Sequence, residues 1–157
     1  MRMCMATKTY TLEFGGYWLQ SAISGMPNGS GIYGVYACTH DVYQNRVLLQ
    51  RLLYIGEAAD LRGRIANHEK WSEWQRQLRI GEVLCLNAAL IAGQSDRQRA
   101  EAAVIFKHKP PCNTEYRNSF PFDTTTVATG GCNALLEPFF TTLCTENQNA
   151  ALFARRW

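Results

Sequence analysis

The sequence lacks long hydrophobic runs, closely spaced cysteines and a strong excess of either charge. No run of about 18 consecutive apolar residues occurs in the chain, which argues against a membrane-spanning helix. The first ten residues, MRMCMATKTY, lack the apolar run of a secretory signal peptide. We therefore expect a cytoplasmic protein that does not bind a membrane.

The cysteines and the charges exclude two further classes of protein. The six cysteines are far apart, and no two of them form a CxxC pair, so neither a zinc knuckle nor a redox motif is predicted. The net charge of +3 comes from 16 Lys and Arg against 13 Asp and Glu. This balance argues against a dense basic surface, although it allows a polyanionic partner.

What the sequence does contain is a clear succession of secondary-structure signals. Residues 8–14 are predicted to form a short strand or an extended arm. Alternation of apolar and polar residues, together with glycine and proline stops, predicts three further strands over 31–38, 47–55 and 82–91. Helices are predicted over about 60–70, from Ser72 to Gly81, and over 96–108. Ser72 with Gln75, and Ser95 with Gln98, have the spacing of capping boxes. The order β-β-α-α-β-α predicts an α/β fold with a small, three-stranded, largely antiparallel sheet flanked by helices.

Candidate groups for phosphate chemistry follow the second and third strands. Tyr54 ends a strand, and Arg64 and His68 are four residues apart, so they are expected to share one face of the next helix. Glu101 falls on or beside the apolar stripe of the last helix, where a carboxylate must be solvated, paired or bound to a cation. Asn113 follows a double proline in a loop, where its amide can bind a ligand or hold a turn.

Together these positions resemble the GIY-YIG nuclease superfamily. The signatures are Gly31-Ile32-Tyr33 and Tyr54-Ile55-Gly56, and the arginine, histidine, glutamate and asparagine of the family fall on Arg64, His68, Glu101 and Asn113. The resemblance implies a nuclease domain over 31–116, with an N-terminal arm over 1–30 packed on it and a C-terminal extension over 117–157, together one compact domain.

The resemblance implies a metal-dependent endonuclease that hydrolyses phosphodiester bonds of double- or single-stranded DNA and leaves 5′-phosphate ends. Glu101 would hold Mg²⁺ or Mn²⁺, and Arg64 would present its planar fork to a phosphate oxygen. Tyr33 and Tyr54 would lie beside the attacking water, and Asn113 would orient the site or the substrate.

The sequence leaves the proton acceptor open, because either Tyr33 or His68 could take the proton of the water. It also leaves the hairpin between the two signatures unexplained. The tyrosines are further apart than is usual in the family, which predicts a long tip over 39–51. We expect four cations to contact DNA: Arg46, Arg51, Arg62 and Lys70.

Three other functions fit the same residues. Glu57 stands where many members carry lysine or a small polar residue, and an acid there would repel a phosphate, as in an inactive DNA-binding member. An RNA-directed nuclease is the second alternative. The third is a structural domain that binds a partner through Trp18, Trp71, Trp74 and the apolar tail.

Overall fold

The structure is a computed structural model that describes residues 7–146. Its elements, in chain order, are β1 Lys8–Leu19, a 3₁₀ helix Gln20–Gly25, β2 Gly31–Asp41, β3 Arg46–Ala58, α1 Leu61–Ala66, α2 Trp71–Arg76, β4 Val83–Leu90, α3 Gln94–His108, β5 Thr125–Gly131 and β6 Phe139–Thr142. No helix in this part of the chain is long and apolar enough to cross a membrane.

The predicted three-stranded sheet is wrong, because six strands form one sheet in the order β3-β2-β4-β1-β5-β6. Strand β1 pairs antiparallel with β4 and parallel with β5, so the sheet is mixed. Without β1, one edge of β4 would expose unpaired N–H and C=O groups. Strand β1 covers that edge, and its alternating residues Tyr10, Leu12 and Phe14 are buried in the core.

The antiparallel hairpin of β2 and β3 is confirmed, but its long tip is not a loop. The two strands remain paired from Gly31 opposite Ala58 to Asp41 opposite Arg46. Only a short turn, 42–45, joins them. The Asp41 carboxylate accepts two backbone N–H bonds within this turn, at 3.0 and 3.1 Å. The extra residues therefore lengthen the strands.

Two helices differ from their predicted bounds in ways that affect the site. Helix α1 ends at Ala66, so the expectation that Arg64 and His68 share a helix face is wrong. His68 lies instead in the link 67–70 between α1 and α2. Helix α2 begins before Ser72, and no side chain caps it, so the predicted capping box is absent.

Helix α3 also begins earlier than predicted, at Gln94, and no side chain caps it either. The residue before it is Gly93, whose φ of 86° is a left-handed conformation that glycine adopts without strain. The helix ends at His108, as the following Lys109-Pro110 pair predicts.

The sheet carries helices on both faces. Side chains alternate along β2, so Ile32 packs in a core with α3, whereas Tyr33 packs in a core with α1 and α2. Strand β3 forms one edge of the sheet, and the loop after α3 runs along this edge, where the Cys112 N–H donates to the Leu53 carbonyl at 2.9 Å. Groups from both helical layers therefore meet at the edge of β3.

Candidate active site

Tyr33 and Tyr54 lie side by side because the register of β2 and β3 places them on one face of the sheet. Tyr54 lies opposite Val35, two residues from Tyr33 along β2, and the pairing between Tyr33 and Val35 is uninterrupted. Opposite residues of an antiparallel pair, and residues two apart along a strand, point to the same face, so Tyr54 faces the side that carries Tyr33. A register shift directly beyond the Val35–Tyr54 pair leaves Leu53 as an extra, bulged residue. The two ring centroids are 6.1 Å apart.

A buried hydrogen bond joins His68 to the first of these tyrosines. His68 Nε2 lies 2.8 Å from the Tyr33 hydroxyl, and the Lys70 backbone N–H donates to His68 Nδ1 at 3.1 Å. Burial, and then the positive charge of Arg64, lower the pKa of His68 to about 4. The ring is therefore neutral at pH 7. Because Nδ1 accepts, the ring proton resides on Nε2 and is donated to Tyr33.

The two phenols influence each other's titration. Burial raises the pKa of both tyrosines, that of Tyr54 to about 12. Tyr54 adds to the rise of the Tyr33 pKa, whereas Tyr33 lowers the pKa of Tyr54. The negative charge of Glu101 raises both pKa values, and the positive charge of Arg64 lowers both. His68, Tyr33 and Tyr54 therefore form one electrostatically coupled group, in which a hydrogen bond joins His68 to Tyr33.

Tyr54 lines a cavity of about 210 Å³ between β3, α3 and the loop that follows α3. Its lining comprises Tyr54, Ile55, Lys70, Glu101, Ile105, Asn113, Thr114 and Glu115. The ammonium of Lys70 lies 5.4 Å from the centre of the Tyr54 ring. A phenol, an ammonium and two carboxylates thus share one small space.

Glu101 makes no hydrogen bond or ion pair with any residue between 7 and 146. Burial raises the pKa of this carboxyl to about 8, and the negative charges of Glu57 and Glu115 add to the rise. Glu101 is half-buried. A carboxylate that is largely removed from water without a partner is costly, and a bound cation would remove that cost.

The residues present fit one hard cation. Within the described part of the chain, no group of three or more His, Cys, Asp or Glu side chains is arranged to hold a metal. Mg²⁺ commonly binds through one or two carboxylates and keeps several waters. Glu101 offers such a carboxylate, Glu115 lines the same cavity, and the cavity has room for water.

The guanidinium of Arg64 is engaged by a residue that the sequence did not indicate. Its two terminal nitrogens donate to the two carboxylate oxygens of Glu69, at 2.6 and 2.9 Å. Arg64 and Glu69 are five residues apart, a spacing that does not pair side chains on a helix. The contact forms because α1 ends between them.

Asn113 holds the loop to the sheet. Its side-chain oxygen accepts the backbone N–H of Ile55, and its side-chain nitrogen donates to the Ile55 carbonyl, both at 2.9 Å. Of the two roles that the sequence allowed, the structure shows the loop-holding one, in which both ends of the amide bind the backbone of β3.

The four cations expected to contact DNA differ in availability. Arg51 forms two bonds of 2.8 and 2.7 Å with the Glu82 carboxylate, and Arg62 donates to the Met26 carbonyl at 2.8 Å. Lys70 lines the cavity. Arg46 is exposed and has no partner among residues 7–146.

Glu57, the acid expected to repel a phosphate, is paired. The buried Arg97 of α3 bonds the Glu57 carboxylate through Nε and the Ser30 hydroxyl through one terminal nitrogen, the latter at 2.7 Å. Arg97 lies one helical turn before Glu101, a spacing that could have suggested a cation close to this acid. Arg97 offsets only part of the repulsion, because at Glu101 the rise in pKa caused by Glu57 is larger than the lowering caused by Arg97.

The structure thus brings Tyr54, Glu101 and Asn113 to one cavity, and Tyr33 and His68 pack against Tyr54. Arg64 acts on the tyrosines through its charge. A scan of the chain against protein-family models, a search of curated proteins and a search of solved structures found no match.

Proposed function

We propose that this protein is a metal-dependent endonuclease that hydrolyses DNA phosphodiester bonds and leaves 5′-phosphate ends. The observation that carries the proposal is the unpaired carboxylate of Glu101 in a cavity that it shares with Tyr54. Its elevated pKa, about 8, indicates a group whose charged form needs a cation. The residues that resemble the GIY-YIG signatures support the same activity.

Glu101 would hold Mg²⁺ or Mn²⁺, with Glu115 as a second oxygen donor in the cavity. When bound, the cation supplies a Lewis acid for a phosphate oxygen. Its positive charge also offsets the Glu101 charge that raises the pKa of both phenols. The protein's own contribution is to place the phenols, the histidine and the arginine around the phosphate.

Tyr54 is the phenol that lines the cavity, so we assign its phenolate, formed by loss of the hydroxyl proton to solvent in the cavity, as the group that accepts a proton from water. Tyr33 lies beside it, at a ring-centroid distance of 6.1 Å, and lowers its pKa, and His68 donates to Tyr33. Donated hydrogen bonds stabilise a phenolate. His68 therefore acts as a hydrogen-bond donor that positions the pair, because its low pKa and its tautomer leave no free acceptor towards Tyr33.

Arg64 would stabilise the charge that develops on the phosphate. Two parallel N–H bonds from a guanidinium match a phosphate as well as they match a carboxylate. The positive charge of Arg64 already lowers the pKa of both tyrosines. One residue thus serves both the phosphate and the phenol that takes the proton.

Nicking of supercoiled plasmid with Mg²⁺ or Mn²⁺ tests the proposal. We expect Glu101→Gln to reduce nicking to background while the protein stays folded. The matched control is Glu13→Gln, which removes an exposed carboxylate from β1. A 5′-phosphate on the product, shown by ligation without prior phosphorylation, is the expected end.

Three outcomes would contradict the proposal. Equal nicking by the wild type and Glu101→Gln would reject Glu101 as the cation ligand. Binding without nicking under any divalent cation would make the protein a DNA-binding module. Cleavage of RNA but not of DNA under the same conditions would change the substrate class.

A further inference from the structure

The terminal nitrogens of Arg64 are already occupied by an anion from the chain itself. The bonds of 2.6 and 2.9 Å to Glu69 run in parallel, which is the geometry that a guanidinium also uses for phosphate. The pair is open to solvent, with 39% of the Arg64 side chain and 64% of the Glu69 side chain exposed. An incoming phosphate can therefore reach it.

The position of Glu69 connects this pair to the candidate site. Glu69 lies in the link 67–70, directly after His68, and its carboxylate is 3.8 Å from His68 Nδ1. The charge of Arg64 affects the pKa of both tyrosines of the site. The carboxylate of Glu69 thus occupies the two guanidinium donors that the proposed mechanism assigns to a phosphate.

We propose that Glu69 is an internal competitor for the substrate, holding the Arg64 guanidinium until a backbone phosphate of the nucleic acid displaces it. This inference rests on the proposed function, since it concerns how the same site admits its substrate. Displacement of Glu69 by phosphate exchanges one pair of charge-assisted hydrogen bonds for another. The competing carboxylate lowers the affinity of Arg64 for a single free anion more than the affinity of the protein for a polyanion. The reason is that other phosphates of the polyanion are bound elsewhere on the protein.

The exposure of the pair makes the exchange feasible. Solvent-exposed ion pairs contribute little net free energy, because water and salt screen them. The Arg97–Glu57 pair differs, since Arg97 is 7% exposed and also bonds Ser30. Opening that pair would leave a charge buried without a partner, so of these two pairs it is the Arg64–Glu69 pair that can open at low cost.

A double-mutant cycle tests the inference without depending on cleavage. Binding of a fluorescein-labelled duplex oligonucleotide is measured by anisotropy in EDTA for the wild type, Glu69→Gln, Arg64→Gln and the double variant. We expect Glu69→Gln to lower Kd about two- to fivefold, the range that a screened surface pair allows. In the Arg64→Gln background, the same replacement should change Kd no more than Glu13→Gln does.

Each contrary result has one meaning. If Glu69→Gln tightens binding equally in both backgrounds, its carboxylate is only one more repulsive surface charge, and the competitor role is rejected. If the wild type binds and nicks DNA but Glu69→Gln leaves Kd unchanged, the inference alone is rejected and the proposed function stands. If neither the wild type nor any variant binds the duplex, both are rejected together.

Discussion

At the β5–β6 end of the sheet, two half-buried polar side chains bond to neighbouring groups of the fold, whereas at the β3 edge one carboxylate does not. His108 donates to the Val104 carbonyl at 2.8 Å and accepts the Glu137 N–H at 2.9 Å. Arg99 donates to the Thr125 hydroxyl and to two neighbouring carbonyls. At the other end, the carboxylate of Glu101 has no partner among residues 7–146. His108 and Arg99 therefore support the fold, whereas the unpaired carboxylate of Glu101 can bind a ligand.

The histidines at the two ends show this difference most directly. Burial lowers the pKa of His68 and of His108, and a backbone N–H donates to each ring. The N–H reaches Nδ1 in His68 but Nε2 in His108, so the two rings hold opposite tautomers. The remaining N–H of His108 is donated to a backbone carbonyl, whereas that of His68 is donated to the titratable hydroxyl of Tyr33.

The largest effect that would sharpen this comparison comes from replacing the two histidines. His68→Leu removes the donor to Tyr33, so we expect single-turnover nicking to slow at least about tenfold and its pH profile to move to higher pH, because the phenolate loses stabilisation. His68→Gln, whose amide can donate, should recover part of the rate. His108→Leu should lower the melting temperature and leave the rate unchanged.

A slower rate for His108→Leu than for His68→Leu, with both proteins folded, would remove the distinction between the two ends. An unchanged pH profile for His68→Leu would mean that His68 only fills space beside Trp74, which its ring contacts at a centroid distance of 4.5 Å. Circular dichroism of each variant at the assay temperature provides the control for folding.

A smaller effect concerns two carboxylates of α3 whose pKa values move in opposite directions. Burial raises the pKa of Glu101 from 4.5 to about 8, whereas hydrogen bonds from Tyr10 and Lys8 lower that of Asp96. Relative to Glu101→Gln, the metal-free wild type should lose about 2 kcal/mol of stability as pH rises from 4.5 through about 8. Each pKa unit corresponds to about 1.4 kcal/mol at full burial, and the expected loss is smaller than the full conversion because the cavity admits water.

Asp96 serves as the control of opposite sign. Its contribution is present above its ordinary pKa and is lost as pH falls below it, so Asp96→Asn should differ least from the wild type in acid. Urea unfolding across a pH series measures both. Millimolar Mg²⁺ or Mn²⁺ should restore the stability of the wild type at pH 8 but not change Glu101→Gln. Parallel curves for the wild type and Glu101→Gln would contradict the half-buried, unpaired state of Glu101.

Local signals in the sequence predicted the elements well and their partners poorly. Alternation and turn residues predicted β2, β3 and β4, and the proline after Lys109 predicted where α3 ends. The parallel pairing of β1 with β5 joins residues more than a hundred positions apart, and no local pattern encodes it. This pairing is why the expected three-stranded sheet is wrong.

Some features of the candidate site could be predicted from the sequence, and others could not. Residue types and order indicated Tyr33, Tyr54 and Glu101, because these depend on strands and a helix with clear periodicity. The tautomer of His68 could not be predicted, since it depends on one backbone N–H in a link without regular structure. The bulge at Leu53 follows from the register of two strands, which their composition does not determine.

The smallest expected effect concerns two arginines of β3 that the sequence treated alike. Arg46 is exposed without a partner among residues 7–146, whereas Arg51 bonds the Glu82 carboxylate twice. We expect Arg46→Gln to weaken duplex binding about twofold and to reduce the slope of log Kd against log salt concentration by up to about one, because one phosphate contact and its counterion are lost.

Arg51→Gln should instead lower stability, because Glu82 loses its partner, and should leave the salt dependence unchanged. Binding across a salt series, with urea unfolding of both variants, separates the two. An equal loss of salt dependence would show that DNA opens the Arg51–Glu82 pair, and the hairpin would then contact the substrate along its length.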